Sequence, residues 1–207
     1  MALIKPGNGS SLSGLVGGVV IVQTKRGSYM RSAPQYSKSS WTPTQKLHRQ
    51  RFKKVSQFCN QFKDTVISQI WNGADERMTG RALFLKANMA AFSPEGELPD
   101  PTMIKLSTGS LNIPGGLNLE RVEGDGRAVK VSWLKDGSGG MRMRDELMVV
   151  SIGEGVYSEI LNTGLLRGLW GGNFEMPVIP ASATHVYLFF ASRDRRSYSA
   201  SECFALD

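Results

Sequence analysis

The residues of this 207-residue chain that could do chemistry are few and poorly spaced for it. His48 and His185 share no metal-ligand spacing with each other or with Cys59 and Cys203, so a zinc site is not expected. Gly14–Gly18 lacks the lysine and hydroxyl that a phosphate-cradling loop requires, and no G-x-S-x-G elbow is present. Glu95, Glu97, Asp125 and Asp136 fall in turn-forming stretches where solvation accounts for them. A paired acid and base would meet in space and not in sequence, so that route stays open. The two cysteines make no disulfide framework and read as small apolar residues. The expectation is a non-catalytic protein without a cofactor.

Charge is the stronger signal. Up to Lys63 the chain carries eleven Lys and Arg and no acidic residue, whereas from Asp64 onward fourteen basic residues stand against eighteen acidic. Such asymmetry suits an acidic protein partner, nucleic acid or another anionic surface, or two halves of one assembly that attract each other. The contact candidates are Lys25, Arg26 and Arg31 on a hairpin, and Lys46, Arg49, Lys53 and Lys54 on a helix. Arg193, Arg195 and Arg196, in the RDRR turn, complete the set.

The elements that must position these groups begin with the stretch Trp41–Asn72. Thr42, Pro43 and Gln45 spell a capping box with proline at the first helical position. Leu47, Val55, Phe58, Cys59, Phe62, Val66 and Ile70 share one face of the helix that follows, while Lys46, Arg49, Lys53, Gln57 and Asn60 share the other. His48 and Arg51 lie on the apolar side, where a stem can rest on the core with its polar head outward. Gly73 offers a left-handed stop, and Met78, Ala82, Leu85, Met89 and Phe92 repeat as a second helix over residues 74–92. The pair reads as a long αα-hairpin.

Before it, residues 7–20 are too rich in Gly and Ser for a packed helix. Val19–Gln23, a turn at Lys25-Arg26-Gly27 and Ser28–Arg31 read as a β-hairpin, with Val16, Val20 and Val22 implying one buried face. After it, SPEGELPDP marks a boundary. The expected organisation is an assembly element over 1–95 and a β-sandwich over 101–207. The sandwich rests on short runs at Met103–Ser107, Leu117–Val122, Ala128–Leu134, Glu146–Ile152, Val156–Leu161, Phe174–Val178, Thr184–Ser192 and Tyr198–Leu206. The longest apolar run, Leu12–Val22, is too short and glycine-rich to span a bilayer, and no signal-peptide cleavage site follows it.

Two resemblances add to this reading. The run AVKVSWLKDGSGG, with Val129, Val131 and Trp133 on one face, resembles the tryptophan-bearing strand of fibronectin type III and immunoglobulin-like domains. THVYLFFAS and SYSASECFAL resemble their final hairpin. The implied fold is α+β: an N-terminal β-hairpin and long αα-hairpin, then an antiparallel immunoglobulin/fibronectin III-like sandwich with Trp133 against Leu188 or Phe190. GSSLSGLVGGVV, YMRSAP, WTPTQKLHRQRF and ERMTGRALFLKANMAAF, in that order, resemble an uncharacterised family common in Bacteroidetes genomes. Ser11 to Gly14, Val16, Gly17, Arg31, Ser32, Pro34, Thr42, Pro43, Gln45, Phe52, Met78 and Thr79 carry that likeness, with Arg49 or Arg51. Leu15, Gly18 and Ser40-Trp41 depart from it. The family brings no activity with it. A T-P-x-Q cap on a long helix also resembles, loosely, proteins of tailed phages and prophages, which implies a virion or surface assembly component. The expected partners are proteins or further copies of the chain, held through the N-terminal segment, and the alternative is non-specific nucleic-acid binding by the basic half.

Overall fold

A computed structural model describes residues 2–4, 13–24, 27–35, 41–122, 128–135, 137, 140–176 and 183–206. The N-terminal hairpin is widened on both edges into a four-stranded antiparallel sheet. Its strands are β1 (Ala2–Ile4), β2 (Gly14–Val16), β3 (Val19–Thr24) and β4 (Gly27–Ser32), in the order β1-β4-β3-β2. Gly17 and Gly18 close the β2–β3 turn, and Gly17 takes φ +59, the positive value that the first position of a two-residue II′ turn needs. Gly27, at φ +130, opens β4.

The capping box forms: Gln45 N–H donates to Thr42 Oγ1 at 3.2 Å and Thr42 N–H to Gln45 Oε1 at 3.0 Å, opening α1 (Pro43–Asn60). The helix does not run on to Asn72. A π-turn at Lys63–Ile67 and a 3-10 turn at Trp71–Gly73 interrupt it. The β-branched run Thr65-Val66-Ile67 is a poor α-former. The wider turn also lets Val66, Ile67 and Ile70 all reach the core. Gly73 is not in the left-handed conformation. The second helix, α2 (Gly80–Asn88), is half the expected length, because Thr79 caps it by accepting from Ala82 N–H at 3.3 Å.

The remaining strands are β5 (Asn118–Arg121), β6 (Ala128–Ser132), β7 (Glu146–Gly153), β8 (Val156–Tyr157), β9 (Leu161–Leu166), β10 (Gly171–Glu175), β11 (His185–Ala191) and β12 (Glu202–Ala205). They form two sheets. One is three-stranded, β10-β6-β5; the other is five-stranded, β12-β11-β7-β8, with β9 also paired to β7. The stretch expected as a strand at Met103–Ser107 is instead a 3-10 turn at Pro101–Met103 followed by extended chain. Ser201 Oγ accepts from Leu106 N–H at 3.0 Å, and Ser107 Oγ donates to Ser199 O at 2.7 Å.

This corrects the expected fold. Among the described residues there is no long αα-hairpin, and the β-strands do not make a free-standing immunoglobulin/fibronectin III-like sandwich; these residues form three sheets and short helices. The physical reason lies in β7 and β11, which are buried on both faces. Met148, Val150, Ile152, Tyr187 and Phe189 meet the helices, while Leu147, Val149, Val186, Leu188 and Phe190 meet the three-stranded sheet. The body is therefore three layers deep, with the five-stranded sheet in the middle. The continuous apolar runs LMVVSI and VYLFFA are the mark of such a central strand, where a half-wet strand would alternate.

The helical side is an aromatic cluster. Phe58 and Phe62, expected in the core, pack with Phe84, Phe92 and Tyr157 at ring separations of 4.8–6.3 Å. Trp71 closes on Phe84 at 5.3 Å and donates from Nε1 to Leu106 O at 2.8 Å. On the other side Trp133 meets Phe190 edge-on at 5.3 Å. Buried Asn88 ties α2 to the extended chain: Nδ2 donates to Phe84 O and Lys105 O, and Oδ1 accepts from Lys105 N–H at 2.7 Å. The SPEGELPDP stretch folds back on α1, with Lys54 paired to Glu97 and Gly96, at φ +84, against the Lys54 side chain.

Candidate interaction surface

Strand register assigns the side chains of the N-terminal sheet to two faces. Val16, Val19, Ile21 and Met30 lie on one, and Leu15, Val20, Val22 and Tyr29 on the other, with Arg31 beside them. Val16 is thus opposite Val20 and Val22, not on one face with them as the sequence suggests. Both faces are apolar, and no described side chain of the sheet is buried; Leu15 is 67% exposed and Val16 61%. Among the described residues, none of the sheet belongs to either core cluster.

The first half of α1 continues this exposed region. Every residue from Thr42 to Gln50 is exposed, including Leu47 at 37%, although periodicity places Leu47 on the core face. The helical face is intact, but the body ends beneath it near Arg51, whose guanidinium donates to Met89 O at 2.6 Å. Phe52, which from the sequence reads with Phe58 and Phe62 as a core residue and not as a stacking aromatic, is 47% exposed because it sits at the margin of the apolar arc. An open hollow of about 930 Å³ runs along the helix past His48, Arg49, Phe52, Lys53 and Gln57.

Of the basic candidates, Lys46, Arg49 and Lys53 line one stripe of α1, and Arg31 stands on β4. The Arg49 guanidinium lies 3.1 Å from the centre of the Trp41 ring. Lys54 is engaged by Glu97. Lys25 and Arg26 lie outside the described residues. Arg193, Arg195 and Arg196 form a separate group on the β11–β12 turn, where Arg195 is paired with Glu146. The candidates therefore occupy three elements and make no single site.

The cysteines and the tyrosines at the core sit in packing roles, Cys59 and Tyr187 buried, Cys203 and Tyr157 half-buried. Burial pushes the Cys59 thiol up to about 11, and the Cys203 thiol likewise to about 11, well above the range of a reactive thiolate. Burial also pushes the Tyr157 hydroxyl up to about 12 and raises that of Tyr187, which donates to Pro101 O at 2.6 Å. Among the described residues, no three His, Cys, Asp or Glu side chains cluster as metal ligands, and no helix is long and apolar enough to cross a membrane.

Sequence reasoning missed Phe84, which joins Phe58, Phe62 and Trp71 in the aromatic cluster, and the buried Arg167–Asp145 pair. Phe84 had a signal in the Thr79 cap, which sets the register of α2. No family model matches the chain, and no curated protein matches it significantly.

Proposed function

We propose that the chain is a non-catalytic structural protein whose N-terminal region is an assembly element. The observation behind this reading is the four-stranded sheet with two apolar faces and, among the described residues, no buried side chain. Side chains so arranged lower the free energy of the system only when a partner removes them from water. From strand spacing and rise, each face measures roughly 300 Å², below the roughly 800 Å² per partner of a standard stable interface. Contact on one face is therefore too little. A partner covers both faces, or adds the exposed half of α1.

Several of the described residues that carry the Bacteroidetes-family likeness support the same reading, because they do backbone work. Gly17 turns a hairpin. Thr42, Pro43 and Gln45 start α1. Thr79 starts α2, and beside it a Cβ on Gly80 would lie 2.4–2.7 Å from Asn72 and Trp71 atoms. None of these is a reacting group. The partner is a protein, including another copy of this chain, whose acid-rich part from Asp64 onward complements the basic arm.

The test compares the native mass of the full chain with that of a variant lacking residues 1–34, and asks what each recovers from its native source. Full-length protein is expected to assemble or to retain a partner, and the shortened one to remain folded but alone. A full-length monomer at high concentration, with partner recovery unchanged by the deletion, would refute the reading.

A second reading is favoured by one observation: exposed Phe52 stands beside Lys53 and Arg49, as an aromatic between phosphate-binding cations does in single-strand binders. It implies non-specific nucleic-acid binding that weakens steeply with salt and is abolished by Lys46→Glu, Arg49→Glu and Lys53→Glu together. Sequence-selective binding at physiological salt would place it first.

A further inference from the structure

A second surface feature, independent of the N-terminal arm, lies where the helical layer meets the turn between β11 and β12. A cleft of about 680 Å³ is lined there by Gln69, Thr108, Ser110, Arg196 and Ser197, with Gly73 and Gly109 leaving room between them. Arg195 and Tyr198 also border a neighbouring hollow of about 320 Å³, whose other walls are Gln69, Met148 and Ile160. One compartment is thus rich in hydroxyls and guanidinium, and the adjoining one is largely apolar. Together they fall in the size range of small-molecule sites.

The turn that presents the arginines is held rigidly. Ser192 N–H donates to Ser197 O at 2.9 Å, Arg195 N–H to Ser192 O at 2.9 Å, and Ser197 N–H to Ser192 Oγ at 3.0 Å. Asp194 accepts from Ser192 Oγ at 2.7 Å and from Arg196 N–H at 3.2 Å, and these bonds hold its carboxyl below the usual carboxylate range. Arg195 takes φ +58, a left-handed conformation that a non-glycine residue keeps only when its surroundings fix it. Its guanidinium supplies part of that fixing by pairing with Glu146 and meeting the sulfur of Met148.

The charges differ in how they are used. Arg195 is matched by Glu146, and the Asp194 carboxylate is drawn into the turn. Arg196 lines the cleft; its charge acts on the neighbouring Asp194 carboxylate, but its guanidinium makes no hydrogen bond or ion pair with any described residue. Hydroxyls at Thr108, Ser110 and Ser197 stand around the same space as further donors. A guanidinium among hydroxyl donors is the donor set that oxyanions select.

The geometry points to a binding site for a small oxyanion, a carboxylate or phosphate carried on a compact apolar group. The anionic end meets Arg196 with the Ser110 and Ser197 hydroxyls, and the apolar end occupies the hollow beside Met148 and Ile160.

The test is a titration of the full chain with hexanoate, acetate and inorganic phosphate, followed by amide NMR. Hexanoate is expected to give saturable shifts centred on residues 108–110 and 195–198, and to bind more tightly than acetate, which lacks the tail. Stronger binding of phosphate than of acetate would assign the head group to phosphate, and the reverse to carboxylate. Arg196→Gln lies on the exposed surface and leaves the turn's backbone bonds in place; it should weaken each of these by about tenfold, the effect of one charge-assisted contact. Absence of saturable shifts with all three probes, or shifts unchanged by Arg196→Gln, would overturn the site.

Discussion

A chain that begins at residue 101 is expected not to fold, although its sequence reads as a complete β domain. Removing the helical layer strips one face of the five-stranded sheet and returns Met148, Val150, Ile152, Tyr187, Phe189 and Leu106 to water. At about 2 kcal/mol for each large apolar side chain, the loss is comparable with the whole stability of a typical domain, about 5–15 kcal/mol. The anchors go too: Trp71 no longer donates to Leu106 O, and Asn88 no longer caps the Lys105 peptide groups. Circular dichroism on heating and the dispersion of amide resonances measure the outcome. A fragment 101–207 with a cooperative melt and dispersed spectrum would show that the helices are an addition to a self-sufficient sheet. The shorter deletion of residues 1–34 removes no described residue of either core cluster and is expected to leave the melt nearly unchanged.

The second large effect is expected at Arg167, whose side chain is only 1% exposed. Its Nε lies 3.3 Å from Asp145 Oδ2, its terminal nitrogen donates to Asn112 O at 2.7 Å, and its guanidinium lies 4.5 Å from the Phe190 ring centre. Its backbone joins the same knot, accepting from Trp133 Nε1 at 3.0 Å and donating to Asp145 O at 2.8 Å. Arg167→Met keeps the volume but removes the Arg167 charge from beside the Asp145 carboxylate, whose side chain is 6% exposed. The cost should be about 3–5 kcal/mol, the range for breaking one half of a buried pair. Combining it with Asp145→Leu should recover most of the loss, because two apolar groups carry no desolvation cost. Urea unfolding of the single and double variants measures both values. A single variant within 1 kcal/mol of the parent would mean that the pair is not what holds the β9–β10 connection to the body.

Much of the local structure was legible in the sequence because it depends on neighbours. The Thr42–Gln45 box, the pairing of Val19–Gln23 with Ser28–Arg31 and the amphipathic face through Val55, Phe58 and Phe62 are set within a few residues. What was not legible depends on distant contacts. Periodicity identifies the apolar side of α1 but not where the body beneath it stops, so Leu47 and Phe52 read as core. The two-sided burial of β7 and β11 was visible as unbroken apolar runs. It was masked by the shorter alternating strands around them, which favoured a two-layer reading. The basic candidates were visible as types, yet nothing in the sequence says that Lys54 is held by Glu97 and Arg195 by Glu146 while Arg196 is left over. The oxyanion cleft escaped for the same reason, since Gln69, Thr108 and Arg196 are remote in the chain.

The apolar character of both faces of the N-terminal sheet has a consequence for the order of events in the cell. A strand with one wet face has its register set by that face, since slipping by one residue turns its apolar set outward. Here β3 is apolar on both sides through Val19, Val20, Ile21 and Val22, so a slip exchanges one greasy face for another and is little resisted. Residues 14–32 also leave the ribosome before either helix or any strand of the body exists to shelter them. Under the assembly role proposed above, correct pairing and protection come from the partner, and come early. Under that role, supply of the partner during synthesis, more than the stability of the finished body, is expected to set how much of the protein escapes aggregation.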